Sequence, residues 1–176
     1  MSFPSSLLTD RLWLRPARID DAEAVCASWS HDPEVTRYLG WRPYDDVDLA
    51  REFLRKGLEG WDAGDRLWGI ERRDDRRLIG QIGAHLEGTR AVLGYVLARA
   101  HWGQGFMTEA LRAVTEAALD DLAIYRVWAV CDVDNPASAR VMQKAGMSYE
   151  GRLRRWMIHP NVSPEPRDVL CYAKVR

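Results

Sequence analysis

The 176-residue sequence has few cysteines and histidines, three and four respectively. Its three cysteines, Cys26, Cys131 and Cys171, are widely spaced, no CxxC pair occurs, and no two histidines stand at the spacing of metal ligands. We therefore expect no metal site. Reduced thiols, as in a cytoplasmic protein, are the predicted state of the cysteines.

Excess charge and long apolar runs are missing as well. The 25 basic and 26 acidic residues give a formal net charge of -1, so no overall field would attract nucleic acid or an anionic membrane. The segment Met1-Ser2-Phe3-Pro4 does not begin a basic and then apolar leader, and no later run has the length needed to cross a bilayer. We expect a cytoplasmic monomer or homodimer without nucleic-acid or membrane partners.

The apolar pattern changes its period several times along the chain, which is typical of interleaved helices and strands. The length fits a single domain over residues 1–176. We predict a mixed α/β (α+β) fold with a mostly antiparallel sheet. The predicted helices run from Asp20 or Asp21 to Trp29, from Asp46 or Asp48 to Ala63, from Met107 to Asp120, and from Asn135-Pro136 to Gly146. The predicted strands lie near residues 12–16, 67–72, 78–86, 90–97, 126–130, 147–153 and 168–175.

A turn with two glycines, Gly103 and Gly105, joins a predicted strand to a predicted helix. Such a turn places backbone N–H groups at the positive end of the helix dipole, where an anion binds, and glycine lets a phosphate approach the backbone closely. A turn that only reverses the chain is the structural alternative. A P-loop would need Gly-Lys-Ser/Thr where Gly105-Phe106-Met107 stands, and a dinucleotide site would need a third glycine at Thr108.

Several segments, in their order and spacing, resemble the GNAT acetyltransferase superfamily, and within it the ribosomal-protein N-terminal (alanine/serine) acetyltransferase subgroup. The resemblance covers nearly the whole chain. It implies a GNAT-like fold, with a sheet of about seven strands and helices on both faces. The matching segments are Leu8 to Pro16, Asp32 to Leu39, Gly94 to Leu97, Trp102 to Ala110, Asp134 to Arg140, Lys144 to Met147 and Arg167 to Tyr172.

The resemblance implies acetyl-CoA as the acetyl donor. It assigns main-chain groups of Val96 and Leu97 to the pantetheine arm, and Asn135 to the same arm, although Asn135 is also well placed to cap a helix. A backbone N–H near Val96 would stabilise the oxyanion. One departure is Ala100, where the family usually has glutamine or arginine. The pyrophosphate would be held by Gly103, Gln104, Gly105, Phe106, Met107 and Thr108.

The subgroup resemblance makes Ser138 the group that protonates the departing CoA thiolate, although a helix-capping role would also explain this serine. Many acetyltransferases of the superfamily use a tyrosine later in this helix, where Val141 and Met142 stand. The tyrosine mechanism is therefore expected to be absent. Cys131 has no evident histidine partner and is interpreted as a packing residue. His101 and His159 are predicted to be surface histidines. The possible general bases are Glu87, Tyr95, Asp132 and His85.

Aromatic residues in predicted loops and strand ends, Trp41, Tyr44 and Trp156, are predicted to contact the acceptor, whereas Trp13, Trp29, Trp68 and Trp128 are predicted core residues. A basic cluster of Arg152, Arg154 and Arg155 indicates either a solvated strand end or an attraction for acidic acceptors.

The predicted reaction is direct transfer of acetyl to a primary amine in a ternary complex. A protein or peptide N-terminal α-amine is favoured, because its pKa of about 7.7 to 8 leaves far more neutral amine at pH 7 than that of lysine, near 10.4. Two alternatives stay open: an acetyltransferase for small amines (polyamine, antibiotic or amino acid), and a noncatalytic acyl-CoA-binding module.

Overall fold

The computed structural model describes residues 3–60 and 64–176. Within these ranges eight strands form one sheet, and five α-helices lie on its two faces. The strands are β1 (Leu7–Leu8), β2 (Leu12–Pro16), β3 (Arg66–Arg72), β4 (Leu78–Glu87), β5 (Arg90–Leu97), β6 (Arg126–Asp132), β7 (Ser148–Met157) and β8 (Arg167–Val175). The helices are α1 (Ala22–Val25), α2 (Pro33–Thr36), α3 (Val47–Glu59), α4 (Phe106–Asp120) and α5 (Pro136–Lys144).

The strand order in the sheet is β1-β2-β3-β4-β5-β6-β8-β7. All neighbouring strands are antiparallel except β5 and β6, which are parallel and pair only from Arg90↔Arg126 to Val92↔Trp128. Beyond these residues β5 and β6 are no longer paired, although both strands continue. The sheet therefore has an opening at its centre, between the second half of β5 and the end of β6.

Each face of the sheet has its own core. Leu111 and Val114 of α4 and Met142 of α5 are fully buried against one face, together with Ile82 of β4. On the other face, Trp29 packs with Ala50 and Leu54 of α3. Because side chains alternate along a strand, successive residues of β4 and β5 contribute to opposite cores. Side chains from the cores on both faces of the sheet therefore lie beside the opening between β5 and β6.

A buried ion network joins β2 and β3 to the residue that precedes α1. The Arg15 guanidinium donates to Asp21 at 2.8 Å and to Glu71 at 2.8 Å, and all three side chains are nearly inaccessible to solvent. Burial of three charges is tolerated because each is paired and hydrogen-bonded.

The predicted mixed, mostly antiparallel sheet with helices on both faces is confirmed. Two short elements, β1 and α2, had no counterpart in the sequence prediction. The first predicted helix is divided into a 3₁₀ turn (Ile19–Asp21), α1 and a π-helical turn (Cys26–Ser30). The predicted end of the second helix at Ala63 lies outside the described residues. Within the described ranges no helix has the length and apolar character to span a membrane.

Candidate active site

The register between β4 and β5 decides which main-chain groups face the central opening. Ala98 N–H donates to the Ile79 carbonyl at 2.9 Å, and the register pairs Gln81 with Val96 and Gly83 with Gly94. In an antiparallel ladder, residues two apart point their N–H and C=O groups the same way. The groups of Val96 are therefore directed to β4, and those of Tyr95 and the N–H of Leu97 face the opening. The expected contact of Val96 with the pantetheine arm stays a prediction, and the register favours Tyr95 as the residue whose main-chain groups are free for it.

The predicted anion cradle lies just past the open end of β5. Gly103 has φ of 73° and Gly105, the N-cap of α4, has φ of 81°, both in the left-handed region that disfavours other residues. Gly105 has no side chain to cap α4, so the first N–H groups of the helix are left for a ligand. A Cβ at Gly103 would project into open space and not into protein. The cradle thus fits a phosphate that contacts bare backbone.

Arg11, in the loop before β2, holds this cradle from the side. Its guanidinium donates to the Gln104 carbonyl at 3.0 Å and to Glu109 at 2.7 Å, and lies 4.5 Å from the centre of the Phe106 ring. Sequence reasoning missed both Arg11 and Glu109. Arg11 stands in a segment that carries the family resemblance, but 98 positions separate it from Glu109, so no local pattern joined them. Gln104 does not line the cleft, because its side chain donates to the Ala100 carbonyl at 3.0 Å.

Ser138 lies in the first turn of α5, beside the opening. Its N–H donates to the side-chain oxygen of Asn135 at 3.1 Å, so Asn135 caps the helix as predicted. The Ser138 hydroxyl also lies 2.7 Å from the Tyr95 hydroxyl. Burial raises the pKa of Tyr95 well above its usual value, against a smaller opposing effect of the bond to Ser138. A tyrosine that stays protonated at neutral pH is a proton donor, and it is poorly suited to be the general base named as a possibility above.

Cys131 faces the same region from β6 but is not activated. Burial, followed by the charge of Asp132, raises the pKa of the Cys131 thiol to about 11. The thiol is therefore neutral at pH 7, which agrees with its interpretation as a packing residue. Among the described residues, no group of three or more histidine, cysteine or acidic side chains is arranged to hold a metal ion.

A cleft of about 1450 Å³ runs from the cradle along the opening and onto the face of the sheet that carries α3. It connects most of the predicted cofactor residues in one site. Of those predicted, the cleft is lined by Val96, Leu97, Gly103, Gly105, Phe106, Met107, Thr108, Asn135 and Ser138.

The three aromatic residues predicted to contact the acceptor do not line this cleft. Trp41 and Tyr44 contact each other with ring centres 5.3 Å apart and pack against the core beneath α3, where burial raises the pKa of Tyr44 to about 12. Trp156 is half exposed on β7. Their role in acceptor binding stays a prediction. The wall of the cleft is formed here by Glu34, Arg37 and Tyr38.

Two buried histidines correct the prediction that they lie on the surface. His101 is 8% exposed and packs edge-on against Phe106, and His159 is 2% exposed. His159 Nε2 lies 3.6 Å from a carboxylate oxygen of Asp132. Burial is the main reason that the pKa of each histidine is lowered.

Asp132 is fully buried, and its carboxylate accepts from the Arg167 guanidinium at 2.6 Å. Burial raises the pKa of Asp132, but the bonds from Arg167 and the Asp134 N–H outweigh it, so the net pKa is lowered. A carboxylate held in this way is a poor proton acceptor. Glu87, another possible base, pairs with Arg90 at the turn between β4 and β5, outside the cleft lining.

The geometry defines a class of protein. A sheet that opens between two parallel strands, followed by a glycine cradle at a helix start and a hydroxyl pair beside the opening, fits an enzyme that binds a phosphate-bearing ligand with its far end in the opening. Comparison with known proteins identifies the family. The family model for the acetyltransferase (GNAT) domain matches residues 11–148, and the chain belongs to this family.

Relatives and solved structures agree with this assignment. The chain is 39% identical to the uncharacterized N-acetyltransferase YoaA of Bacillus subtilis over 97% of both chains. It is 35% identical to the uncharacterized N-acetyltransferase p20 of Bacillus licheniformis over 85% of both. Its fold matches RimL, a ribosomal α-N-protein acetyltransferase in complex with coenzyme A, with a TM-score of 0.84 at 22% identity, covering 98% of this chain and 97% of RimL. The protein is an acetyl-CoA-dependent N-acetyltransferase.

Proposed function

We propose that the protein acetylates the α-amine of a protein or peptide N-terminus, by direct attack of the amine on acetyl-CoA in a ternary complex. The observation that carries this proposal is the extent of the cleft. Pockets for one small ligand measure about 300 to 1000 Å³, whereas this cleft has about 1450 Å³ and continues past the opening onto the α3 face. Because the donor would occupy the cradle and the opening, the part on the α3 face is left for an acceptor chain.

The donor half of the site is built from backbone. The cradle of residues 103–108 would hold the pyrophosphate through N–H groups at the start of α4, and Arg11 fixes the shape of that cradle. The main-chain groups of Tyr95 and the N–H of Leu97 face the opening, where the pantetheine arm would lie, whereas the Leu97 carbonyl accepts from the Trp102 indole N–H at 2.8 Å. The N–H of Tyr95 is placed to stabilise the negative charge that develops on the thioester oxygen during attack.

The leaving-group half consists of the two hydroxyls of Tyr95 and Ser138. As the bond between the acetyl carbon and sulfur breaks, the electron pair stays on sulfur, and Ser138 Oγ gives it a proton. The Tyr95 hydroxyl, 2.7 Å from Ser138 Oγ, passes a proton to Ser138 along the hydrogen bond and regains one from the second proton that the attacking nitrogen loses, so neither hydroxyl is left as an anion. No covalent acyl-enzyme is required, which agrees with the neutral thiol of Cys131.

The acceptor half carries charges of both signs. Glu34 and Asp65 line it together with Arg37, Lys56 and Arg66, and the carboxylates of Asp65 and Asp134 are paired with His85 and Arg167. RimL, which has the same fold, is described as a ribosomal α-N-protein acetyltransferase. MccE, described as a microcin C7 self-immunity acetyltransferase in complex with acetyl-CoA and AMP, also has this fold, with a TM-score of 0.85 at 20% identity. The fold therefore accommodates acceptors of more than one kind.

The test is release of CoA from acetyl-CoA with a panel of acceptors. The panel includes peptides beginning with alanine or serine, the same peptides with a blocked N-terminus and an internal lysine, polyamines, and free amino acids. We expect turnover with the free N-terminal peptides and little with the blocked ones. Turnover confined to polyamines or amino acids would replace the proposal with a small-molecule function. Tight acetyl-CoA binding without CoA release from any acceptor would favour the noncatalytic module.

A further inference from the structure

His85 and Asp65 form a pair at the acceptor end of the cleft. His85 stands near the end of β4 and Asp65 directly precedes β3, and the His85 Nδ1 lies 2.6 Å from a carboxylate oxygen of Asp65. The Leu86 N–H donates to the same oxygen at 3.3 Å. Because a carboxylate accepts only, Nδ1 of the neutral imidazole carries the proton and Nε2 is left as the acceptor. This fixed tautomer is the arrangement by which an acidic residue orients a histidine base.

His85 faces the acceptor side of the sheet. Gly83, two residues before it, would direct a Cβ toward Leu67, and Leu67 packs against the core beneath α3. Residues two apart on a strand share a face, so His85 lies on the α3 side as well. Its side chain is 59% exposed and lines the cleft. The imidazole is therefore open to a molecule that enters the cleft on this face.

A floor without side chains lies next to His85. Gly83 of β4 and Gly94 of β5 are directly paired, and neither has a positive φ that would demand glycine. A Cβ at Gly94 would meet nothing within 4 Å. Neither the backbone nor the packing around Gly94 therefore requires glycine at this position, and glycine weakens a strand interior. The Gly83–Gly94 pair therefore leaves open space above the sheet, about 7 Å along the strand from His85.

We propose that His85 is the general base of the reaction and that Asp65 is its positioning residue, with the acceptor amine lying over the Gly83–Gly94 floor. The ammonium gives one proton to His85 Nε2, directly or through one water, and His85 returns it to solvent. The neutral nitrogen attacks the thioester carbon. The second proton lost from nitrogen balances the one taken up by the CoA sulfur.

The other two histidines in the cleft lining are weaker candidates. His101 is 8% exposed and packs edge-on against Phe106, and its pKa is lowered mainly by burial. The ring nitrogens of His159 are buried, without a hydrogen-bond partner among the described residues, and its pKa is lowered mainly by burial. A proton acceptor must reach the amine or a water bound to it. The charged groups that line the cleft around His85 are Asp65, Lys56 of α3, Arg66 of β3, and Glu34 and Arg37 of the α2 region.

The experiment measures kcat/KM against pH for the wild type and for His85→Gln, Asp65→Asn and the control His31→Gln. His31 is exposed and lies outside the cleft lining. We expect His85→Gln to lose about 100-fold near pH 7, in the usual range for a general base, and to recover as the pH approaches the pKa of the amine itself. Asp65→Asn should lose less, with the same recovery. Acetyl-CoA affinity should be unchanged in all three variants.

This inference rests on the proposed acetyl transfer but not on the identity of the acceptor. The pH series is run with whichever amine the wild type acetylates, so a failure of the N-terminal peptides overturns only the proposed function. An unchanged pH profile in His85→Gln overturns the base assignment. The same is true if His159→Gln, and not His85→Gln, removes the dependence on pH.

Discussion

The hydroxyls of Tyr95 and Ser138 meet at 2.7 Å across the opening of the sheet, although the two residues lie 43 positions apart. Tyr95 comes from β5 and Ser138 from the first turn of α5. The pair restores a tyrosine to the site, although the helix position where the family often has one is occupied by Val141 and Met142.

The first prediction concerns this pair. Ser138→Ala should lower kcat by about 100-fold, the lower end of the range for general acid catalysis. Tyr95→Phe should cost less, because Ser138 is still present. The double variant should be no slower than Ser138→Ala, since residues that act as a unit are not additive. Steady-state kinetics with saturating acetyl-CoA measure all three. Full turnover in Ser138→Ala would show that this hydroxyl is not the acid.

The cradle can be tested with a matched pair of glycines. Gly103 and Gly88 both have positive φ, 73° and 62°, and a Cβ at either would meet no protein atom within 4 Å. Alanine at each should cost about 1 to 2 kcal/mol of stability through left-handed strain. Only Gly103→Ala should weaken acetyl-CoA binding, by 10-fold or more in calorimetric titration. Equal acetyl-CoA affinities for the two variants would contradict the assignment of the cradle as the pyrophosphate site.

The buried ion network should be important for folding. Arg15→Met leaves Asp21 and Glu71 as buried charges with a lost partner, and should lower the free energy of unfolding by about 3 to 5 kcal/mol. Arg51, which pairs with Asp48 in an exposed position, is the control. Arg51→Met should cost less than about 1 kcal/mol. Urea denaturation of both variants gives the comparison, and similar losses would contradict it.

The two buried histidines predict a loss of stability in mild acid. Because the pKa of His101 and of His159 is lowered in the folded state, the unfolded chain binds protons first as the pH falls below about 6.5. The stability that the two neutral histidines contribute is fully present above that pH and is lost as the pH falls toward their folded-state pKa values. The loss in the free energy of unfolding is about 1.4 kcal/mol for each pH unit between the unfolded and the folded pKa of a histidine. Unfolding at pH 7.5 and pH 5.5 measures it. His159→Gln should reduce the difference between the two conditions, whereas the exposed His31→Gln should not.

The wall of the cleft that Glu34, Arg37 and Tyr38 form gives a further prediction. Tyr38 lines the cleft and donates through its hydroxyl to the Asp134 carbonyl at 2.9 Å, whereas Trp156 lies outside the lining. Tyr38→Ala should raise the KM for the acceptor several-fold with little change in acetyl-CoA affinity. Trp156→Ala tests the sequence prediction on the same assay. If Trp156→Ala raises the acceptor KM and Tyr38→Ala does not, the acceptor enters along β7.

Local patterns were enough for much of this protein. The strand from Arg90 to Leu97 was predicted with its observed bounds, and Asn135-Pro136 begins α5 with Asn135 as its N-cap. The glycine turn at the start of α4 could also be predicted, since left-handed turns and helix starts depend on a few neighbouring residues. These features follow from short-range sterics and hydrogen bonds, which the sequence alone determines.

Tertiary structure decided the chemistry. Only the strand register turns the main-chain groups of Tyr95, and not those of Val96, toward the opening. Only packing buries His101 and His159 and takes Trp41 away from the cleft. The Tyr95–Ser138 and His85–Asp65 pairs join residues distant in the chain, and no periodicity encodes such a meeting. Register and packing are set by the whole sheet, because a shift of the strand pairing by one residue would move every side chain of that strand to the other face.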